Sequence, residues 1–294
     1  MESNLLCMDD SNIKYINLVD RGDRLGTNLI WYISTILIAV KNNYKIHLTK
    51  LKNEYRYYES IFVKLLINFI EDYNEKYFKN SIEDKNILIK ENYDFFKKHI
   101  NTIIDVKCDY VTAFKENIFT EKFKEYFDKL GKKNNYIIPY NIQKTILVHL
   151  RLDDMSNYFV DYESRKKFSI NFKNIIDNDN KDYEWPSYKG QSAIKENEIV
   201  EIINRVLNIY KDYEVVIITN GRHNLPYRTI HSNDESYDLF LLCNSNILIG
   251  SMSTFSFSSI LFGNHRVVYY PLWDHCVCFG LTTKYDKTKN IEFF

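Results

Sequence analysis

His149-Leu150-Arg151 and the stretch from Gly250 to Phe257 are where residue type and spacing could together do chemistry in this chain of 294 residues. His149 and Arg151 stand two apart as the apolar run Ile146-Leu147-Val148 ends. On an extended backbone they point to one side. An Arg placed there offers a rigid fork of donors that matches phosphate oxygens. Two plainer readings stay open: Arg151 pairing with Asp153 or Asp154 as a surface cluster, and His149 as a hydrogen-bonded core histidine. The second stretch reads Gly250-Ser251-Met252-Ser253-Thr254-Phe255-Ser256-Phe257 and sets hydroxyls where a strand gives way to a helix. Ser253 or Thr254 can cap that helix. The free N–H groups and positive dipole end of a helix start also seat an anion. Both roles are compatible, because a ligand phosphate can take over part of the capping.

Two other turns are candidates. Asp20-Arg21-Gly22-Asp23-Arg24-Leu25-Gly26-Thr27-Asn28 follows a short apolar run and lines up carboxylates around two glycines. It matches neither the dinucleotide fingerprint nor a phosphate-binding loop ending in Lys-Ser/Thr. Thr219-Asn220-Gly221 offers small polar groups after another apolar run, a pattern that is most often only a turn.

The elements that must position these residues follow from periodicity. Strands are predicted over 13–19 and 44–48, with a helix between them, which makes a βαβ unit and therefore a parallel sheet. From 54 to 132 the pattern is mostly helical, with Ile61, Leu65, Ile67, Phe69 and Tyr73 on one apolar face, a short strand over 86–89, and Phe119, Phe123, Tyr126 and Phe127 at helical spacing. The polar, Gly- and Pro-containing stretch 131–141 separates two compositional regimes. It divides an α-rich N-terminal domain (1–138) from a C-terminal one (139–294). In the second, strands over 145–149, 214–219, 246–249 and 266–270 alternate with helices over 168–176, 196–210, 234–243 and 254–262, the order of a doubly wound parallel sheet. The long polar loop 177–192 is of a kind that is often functional. In such sheets ligands bind outside the carboxyl ends of the strands. That rule points to the turns after Val19, Val148, Ile218 and Ile249.

Bulk properties narrow the function classes. Lys plus Arg and Asp plus Glu are 39 each, a formal net charge of zero, which argues against nucleic acid as the main partner. The longest apolar run, 29–40, is too short to span a bilayer and contains Ser34 and Thr35. Met-Glu-Ser-Asn lacks the features of a signal peptide. A soluble, cytoplasmic protein without an integral membrane segment is predicted. The five cysteines, Cys7, Cys108, Cys243, Cys276 and Cys278, are odd in number and scattered, unlike a disulfide framework. His275-Cys276-x-Cys278 lacks the second pair that a zinc site needs, and Asp177-x-Asp179 is a weak metal motif, so no metal is expected.

At the residues quoted, the chain resembles the α-1,2/α-1,6/protein-O-fucosyltransferase superfamily in three separated places, in the right order. The 20–28 turn and the helix after it look like the turn that opens those enzymes. Val148-His149-Leu150-Arg151-Leu152-Asp153-Asp154 looks like their His-x-Arg-Arg motif. Asp238 to Cys243, through to Ser253-Thr254-Phe255-Ser256, resembles their acidic helix, strand and Ser-Thr-Phe-Ser segment. Leu152 stands where the second Arg is usual, and Thr219-Asn220-Gly221 where Ser-Asp-Asp is frequent.

The resemblance implies a GT-B-like fold of two Rossmann-like domains whose parallel sheets face a cleft. It implies a metal-independent, inverting transferase with no cofactor beyond its donor, a GDP-sugar, GDP-fucose first among them, and a glycan or glycoconjugate hydroxyl as acceptor. Arg151 would neutralise the leaving phosphate, with Asp20, Asp23 or Asp154 as the base. His149, Asn28, Thr219, Asn220, Ser253, Thr254, Phe255 and Ser256 would hold the donor. Transfer of another GDP-sugar or of a pyruvyl group, and a nucleotide- or glycan-binding protein without turnover, are the alternatives.

Overall fold

The computed structural model describes residues 15–18, 25–26, 28–29, 32–33, 36, 39, 44–48, 60–78, 134–152, 193–263, 265–271 and 291–294. Outside them lie Asp20, Asp23, Asp153, Asp154, Cys276, Cys278, the loop 177–192 and the elements predicted over 86–89, 119–127 and 168–176. The chain divides into two compact units, Met1–Tyr110 and Val111–Phe294.

In the first unit β1 (Tyr15–Leu18) and β2 (Lys45–Leu48) pair in parallel, with Leu18 opposite Leu48. Between them Leu25, Leu29, Tyr32, Ile33, Ile36 and Ala39 are helical and none is more than 2% exposed. The predicted βαβ unit is therefore present. Helix α1 (Ile61–Phe78) follows. Ile61, Leu65, Ile67 and Tyr73 of its predicted apolar face are buried, together with Phe62, Val63, Leu66 and Ile70. Polar groups fix it to the strand. The Asn74 side chain accepts from the Ile46 N–H at 3.1 Å and donates to the Ile46 carbonyl at 2.7 Å, pairing both groups on that side of β2. The Tyr73 hydroxyl reaches the carbonyls of Ala39 and Tyr44 at 3.2 and 3.1 Å.

The second unit is built on a six-stranded parallel sheet. Its strands are β3 (Thr145–His149), β4 (Glu214–Ile218), β5 (Arg228–Ile230), β6 (Ile247–Ile249), β7 (Val267–Tyr270) and β8 (Ile291–Phe293), in the order β5-β4-β3-β6-β7-β8. Counted from its own first strand this is 3-2-1-4-5-6, the doubly wound order of a mononucleotide-binding pair, in which the strand order reverses between β3 and β6. Ile146–Val148, Val215–Ile218, Ile247–Ile249 and Val268 are no more than 6% exposed. Continuous burial of this kind is what a parallel sheet covered on both faces demands.

Three helices with defined ends serve this sheet: α2 (Glu196–Ile209), α3 (Glu235–Cys243) and α4 (Thr254–Phe262). Ile199, Ile202, Ile203 and Val206 give α2 a buried stripe at helical spacing. Asp234, predicted as helical, is instead the N-cap of α3, its carboxylate accepting from Ser236 N and Tyr237 N at 2.9 and 3.2 Å. The C-terminal ends of α3 and α4 meet at His265, whose Nδ1 lies 2.8 Å from the Ser245 carbonyl and Nε2 3.0 Å from that of Ser259. Gly263 stands against that ring, where a Cβ would also come within 2.8 Å of the Cys243 carbonyl.

Two strands were not anticipated. β5 and β8 are three residues each and stand at the sheet's edges, where β5 has no buried residue and β8 one. Half-exposed edge strands lack the apolar run that marks the inner ones.

Candidate functional site

The reversal between β3 and β6 opens a crevice at their carboxyl ends, and both stretches singled out for their chemistry arrive there. Val148 pairs with Ile249, so the residue after each faces the same crevice edge. β3 continues by one more bond, Leu150 N to the Ile218 carbonyl at 3.0 Å, which carries Arg151 clear of the sheet. On the other side Gly250 N donates to the Tyr269 carbonyl at 2.8 Å. Gly250 has to be small: a Cβ would stand 2.7 Å from the Tyr270 ring. That ring's hydroxyl donates to the Ser253 carbonyl at 3.1 Å, and the two contacts hold the turn into α4.

His149 and Arg151 do lie on one side and reach the same turn. His149 Nδ1 is 2.6 Å from Ser256 Oγ and 2.9 Å from Ser251 Oγ. Arg151 Nη1 donates to the Met252 carbonyl at 3.4 Å. Ser251 N donates to Ser256 Oγ at 3.0 Å, closing a small polar network. The Phe255 ring packs on the imidazole with centroids 5.5 Å apart. Burial first, and then the neighbouring guanidinium, push the His149 imidazole down to about 3. It is neutral at physiological pH and too weak a base to take a proton from a hydroxyl.

Ser253 is the N-cap of α4, its hydroxyl accepting from Phe255 N at 3.1 Å. The first turn of α4 holds no acidic residue, whereas α2 has Glu196 and Glu198 and α3 has Glu235 and Asp238 there. The positive end of α4 thus has no carboxylate of its own to answer it. Thr254 and Phe255 begin the helix and are half-buried. A small recess at the ends of β3 and β6 is lined by Leu150, Arg151, Leu152, Ser251 and Met252, with Ala193, Ile194 and Ile199.

The other candidates separate. Thr219 is buried, and its hydroxyl accepts from Gly221 N at 3.1 Å, so it shapes the turn after β4, next to β3 in the sheet. Asn220 is exposed on that turn. Leu152 is 6% exposed, and a Cβ on Gly221 would collide with its side chain. Leu152 therefore packs the turn. Asn28 is helical and fully buried in the first unit. Ser251, Tyr270 and the Met252 carbonyl complete the site and were not singled out as site residues. Ser251 stood in the quoted stretch, and the spacing of strand end, Gly and Ser was the signal that could have found it.

A second polar spot lies at the start of α3. Asp238 is 5% exposed, and its Oδ1 has no hydrogen-bond partner among the described residues. Burial raises its carboxyl to about 7; the Ser232 hydroxyl opposes the rise, and the charges of Asp234 and Glu235 add to it.

No family model, no curated protein and no solved structure matches the chain. Among the described residues, no helix is long and apolar enough to cross a membrane.

Proposed function

We propose that this chain is an inverting, metal-independent glycosyltransferase of GT-B architecture that transfers a sugar, fucose first among candidates, from a GDP-sugar to a glycan hydroxyl. One observation carries the reading: at the point where a doubly wound sheet reverses, Arg151 meets the start of a helix that lacks its own carboxylate. Such a crevice is where mononucleotides lie in sheets of this order. A guanidinium and a helix start both favour a phosphate.

The chemistry follows from charge. As the glycosyl bond breaks, negative charge grows on the departing phosphate. Arg151 and the N–H groups of α4 are held in place beforehand, so they stabilise that charge without reorganising. His149 stays neutral and positions rather than accepts a proton. The base that takes the acceptor's proton is then a carboxylate, with Asp20, Asp23 and Asp154 proposed for that part. In this reading residues 1–138 and 139–294 are the two GT-B domains, and the enzyme works in the cytoplasm.

A thermal-shift panel tests the reading. GDP should raise the melting temperature more than UDP or CMP at equal concentration, by mass action on the folded state. Equal shifts from all three, or none, would remove the GDP-sugar assignment. A GDP shift without transfer or hydrolysis of any GDP-sugar would leave the alternative, a binding protein without turnover, which Leu152 and Asn220 motivate.

A further inference from the structure

We propose that Ser251 and Ser256 are positioning residues that lock the His149 ring with its proton on Nε2, so that the crevice receives a neutral N–H donor and neither an acid nor a base.

Counting protons decides the tautomer. Ser256 Oγ already accepts from Ser251 N at 3.0 Å, so its own proton must go elsewhere. The acceptors in reach are His149 Nδ1 at 2.6 Å and Ser251 Oγ at 3.2 Å. Ser251 Oγ faces the same two atoms, His149 Nδ1 at 2.9 Å and Ser256 Oγ at 3.2 Å. If Nδ1 is bare, Ser256 donates to it and Ser251 donates to the second lone pair of Ser256 Oγ. Every donor in the network is then satisfied. If Nδ1 carries the proton, it takes a hydroxyl oxygen as acceptor, and the two serines have only each other. One hydroxyl proton is left with no acceptor in a place where Ser256 is 0% and Ser251 4% exposed. An unmade hydrogen bond of that kind costs about 1–3 kcal/mol, which leaves the other tautomer dominant by roughly fivefold to a hundredfold.

Protonating both nitrogens leaves the same hydroxyl without an acceptor and adds a buried charge. Among the described residues the charged group facing the ring is Arg151, which opposes a second cation, and the neighbours Ser251, Phe255 and Ser256 are neutral. Among the described residues the ring's hydrogen bonds are all made at Nδ1, and in this proposal the Nε2–H serves an oxygen of the ligand in the crevice. The bearing of this on turnover rests on the proposed function; the tautomer does not.

Long-range proton–nitrogen NMR of the full-length, nitrogen-15-labelled chain reads the ring directly and needs no substrate. The chain has seven histidines, and His149→Gln assigns the signals by deleting one set. The expected result is an Nε2–H pattern for His149 that does not move between pH 8 and pH 5. An Nδ1–H or imidazolium pattern at pH 7 would overturn the proposal. Either single variant, Ser256→Ala or Ser251→Ala, keeps one hydroxyl to donate to Nδ1 and should keep the Nε2–H pattern, whereas in the folded double variant Ser251→Ala/Ser256→Ala the lock is gone and the pattern should become a tautomer mixture. If half the rings turn over, GDP affinity should fall by about twofold, as the competent fraction halves. An unchanged ring spectrum in the folded double variant would also overturn it. Should the double variant fail to fold, the wild-type spectrum still decides. An Nε2–H pattern in a chain that binds no nucleotide would uphold the lock and remove only the transferase reading.

Discussion

Helices α3 and α4 both start at the carboxyl edge of the same sheet, and both are capped by a side-chain oxygen, Asp234 in one and Ser253 in the other. They differ in what meets the positive end. At α3 the chain supplies its own anions: Asp234, with its second oxygen held by the Tyr136 hydroxyl at 2.6 Å, then Glu235 and Asp238. At α4 it supplies hydroxyls, a neutral imidazole and a guanidinium, and no carboxylate in the first turn. A helix start answered from within is finished as structure. One whose first turn carries no acid, beside an Arg, suits an anion from outside. The buried titratable groups differ in the same way. His149 is met at Nδ1 by two hydroxyls, while one oxygen of Asp238 goes without a partner among the described residues.

The largest expected effect breaks or upholds that contrast. Arg151→Ala should lower turnover about a hundredfold or more, the scale of losing one preorganised donor to developing charge. Arg151→Lys should recover little, because it keeps the charge and loses the fork. Arg151 is only half-buried, so the melting curve should hardly move. Sugar transfer or donor hydrolysis, measured with a melt on each variant, checks this. A folded Arg151→Ala protein with near-normal rates would mean that α4 is as self-sufficient as α3.

Next is the pH dependence of stability, in which the two buried groups have opposite signs. The folded-state value of Asp238, about 7, lies above its ordinary 3.8. Between those values the unfolded chain binds fewer protons, so stability falls as pH rises through the window and stays lowered above it. His149, held near 3 against an ordinary 6.5, acts the other way. Its unfolded form binds more protons in between, so stability is lost as pH falls from about 6.5 to 3. Asp238→Asn should therefore stabilise the protein at pH 8 by on the order of 1–3 kcal/mol, and hardly at pH 4. Denaturant melts at the two pH values measure it. Equal effects at both would show that Asp238 is not a buried charge being forced to form.

What could be read from sequence follows burial and locality. The inner strands were legible because a strand covered on both faces is apolar throughout, as Ile146–Val148 and Ile247–Ile249 are. β5, Arg228-Thr229-Ile230, was not, since an edge strand has solvent on one side and no pattern to keep. The cap at Ser253 was readable from its place before a helix, because capping is local. That His149 and Arg151 share a side was readable from the two-residue period of a strand. The bond from His149 to Ser256 spans 107 residues and depends on the β3–β6 crossing, which no local pattern encodes. Leu152 appeared as a departure from a motif; its packing against Gly221 makes it part of the core. Asp238 stands in the sequence as one acid of an acidic helix, and only the fold reveals that it is buried.

The smallest expected effect lies at Asn220, between the two regions. The turn after β4 joins them: its Gly221 packs on Leu152 at the Arg151 side, and His231, after β5, sets its Nδ1 3.0 Å from the Thr219 carbonyl. Thr219 is buried and structural, but Asn220 is exposed, so Asn220→Ala should change stability by no more than about 0.5 kcal/mol. A nucleotide whose phosphate lies at α4 and whose remainder runs toward α3 must pass this turn. One hydrogen bond from the Asn220 side chain is worth about 0.5–1.5 kcal/mol. GDP affinity should then fall by roughly two- to tenfold. Titration calorimetry of GDP against wild type and Asn220→Ala makes the comparison, with Arg151→Ala as the reference for a phosphate contact. A loss in the expected range would extend the site from α4 toward α3. An unchanged affinity would confine the ligand to the β3–β6 crevice and leave the start of α3 as structure alone.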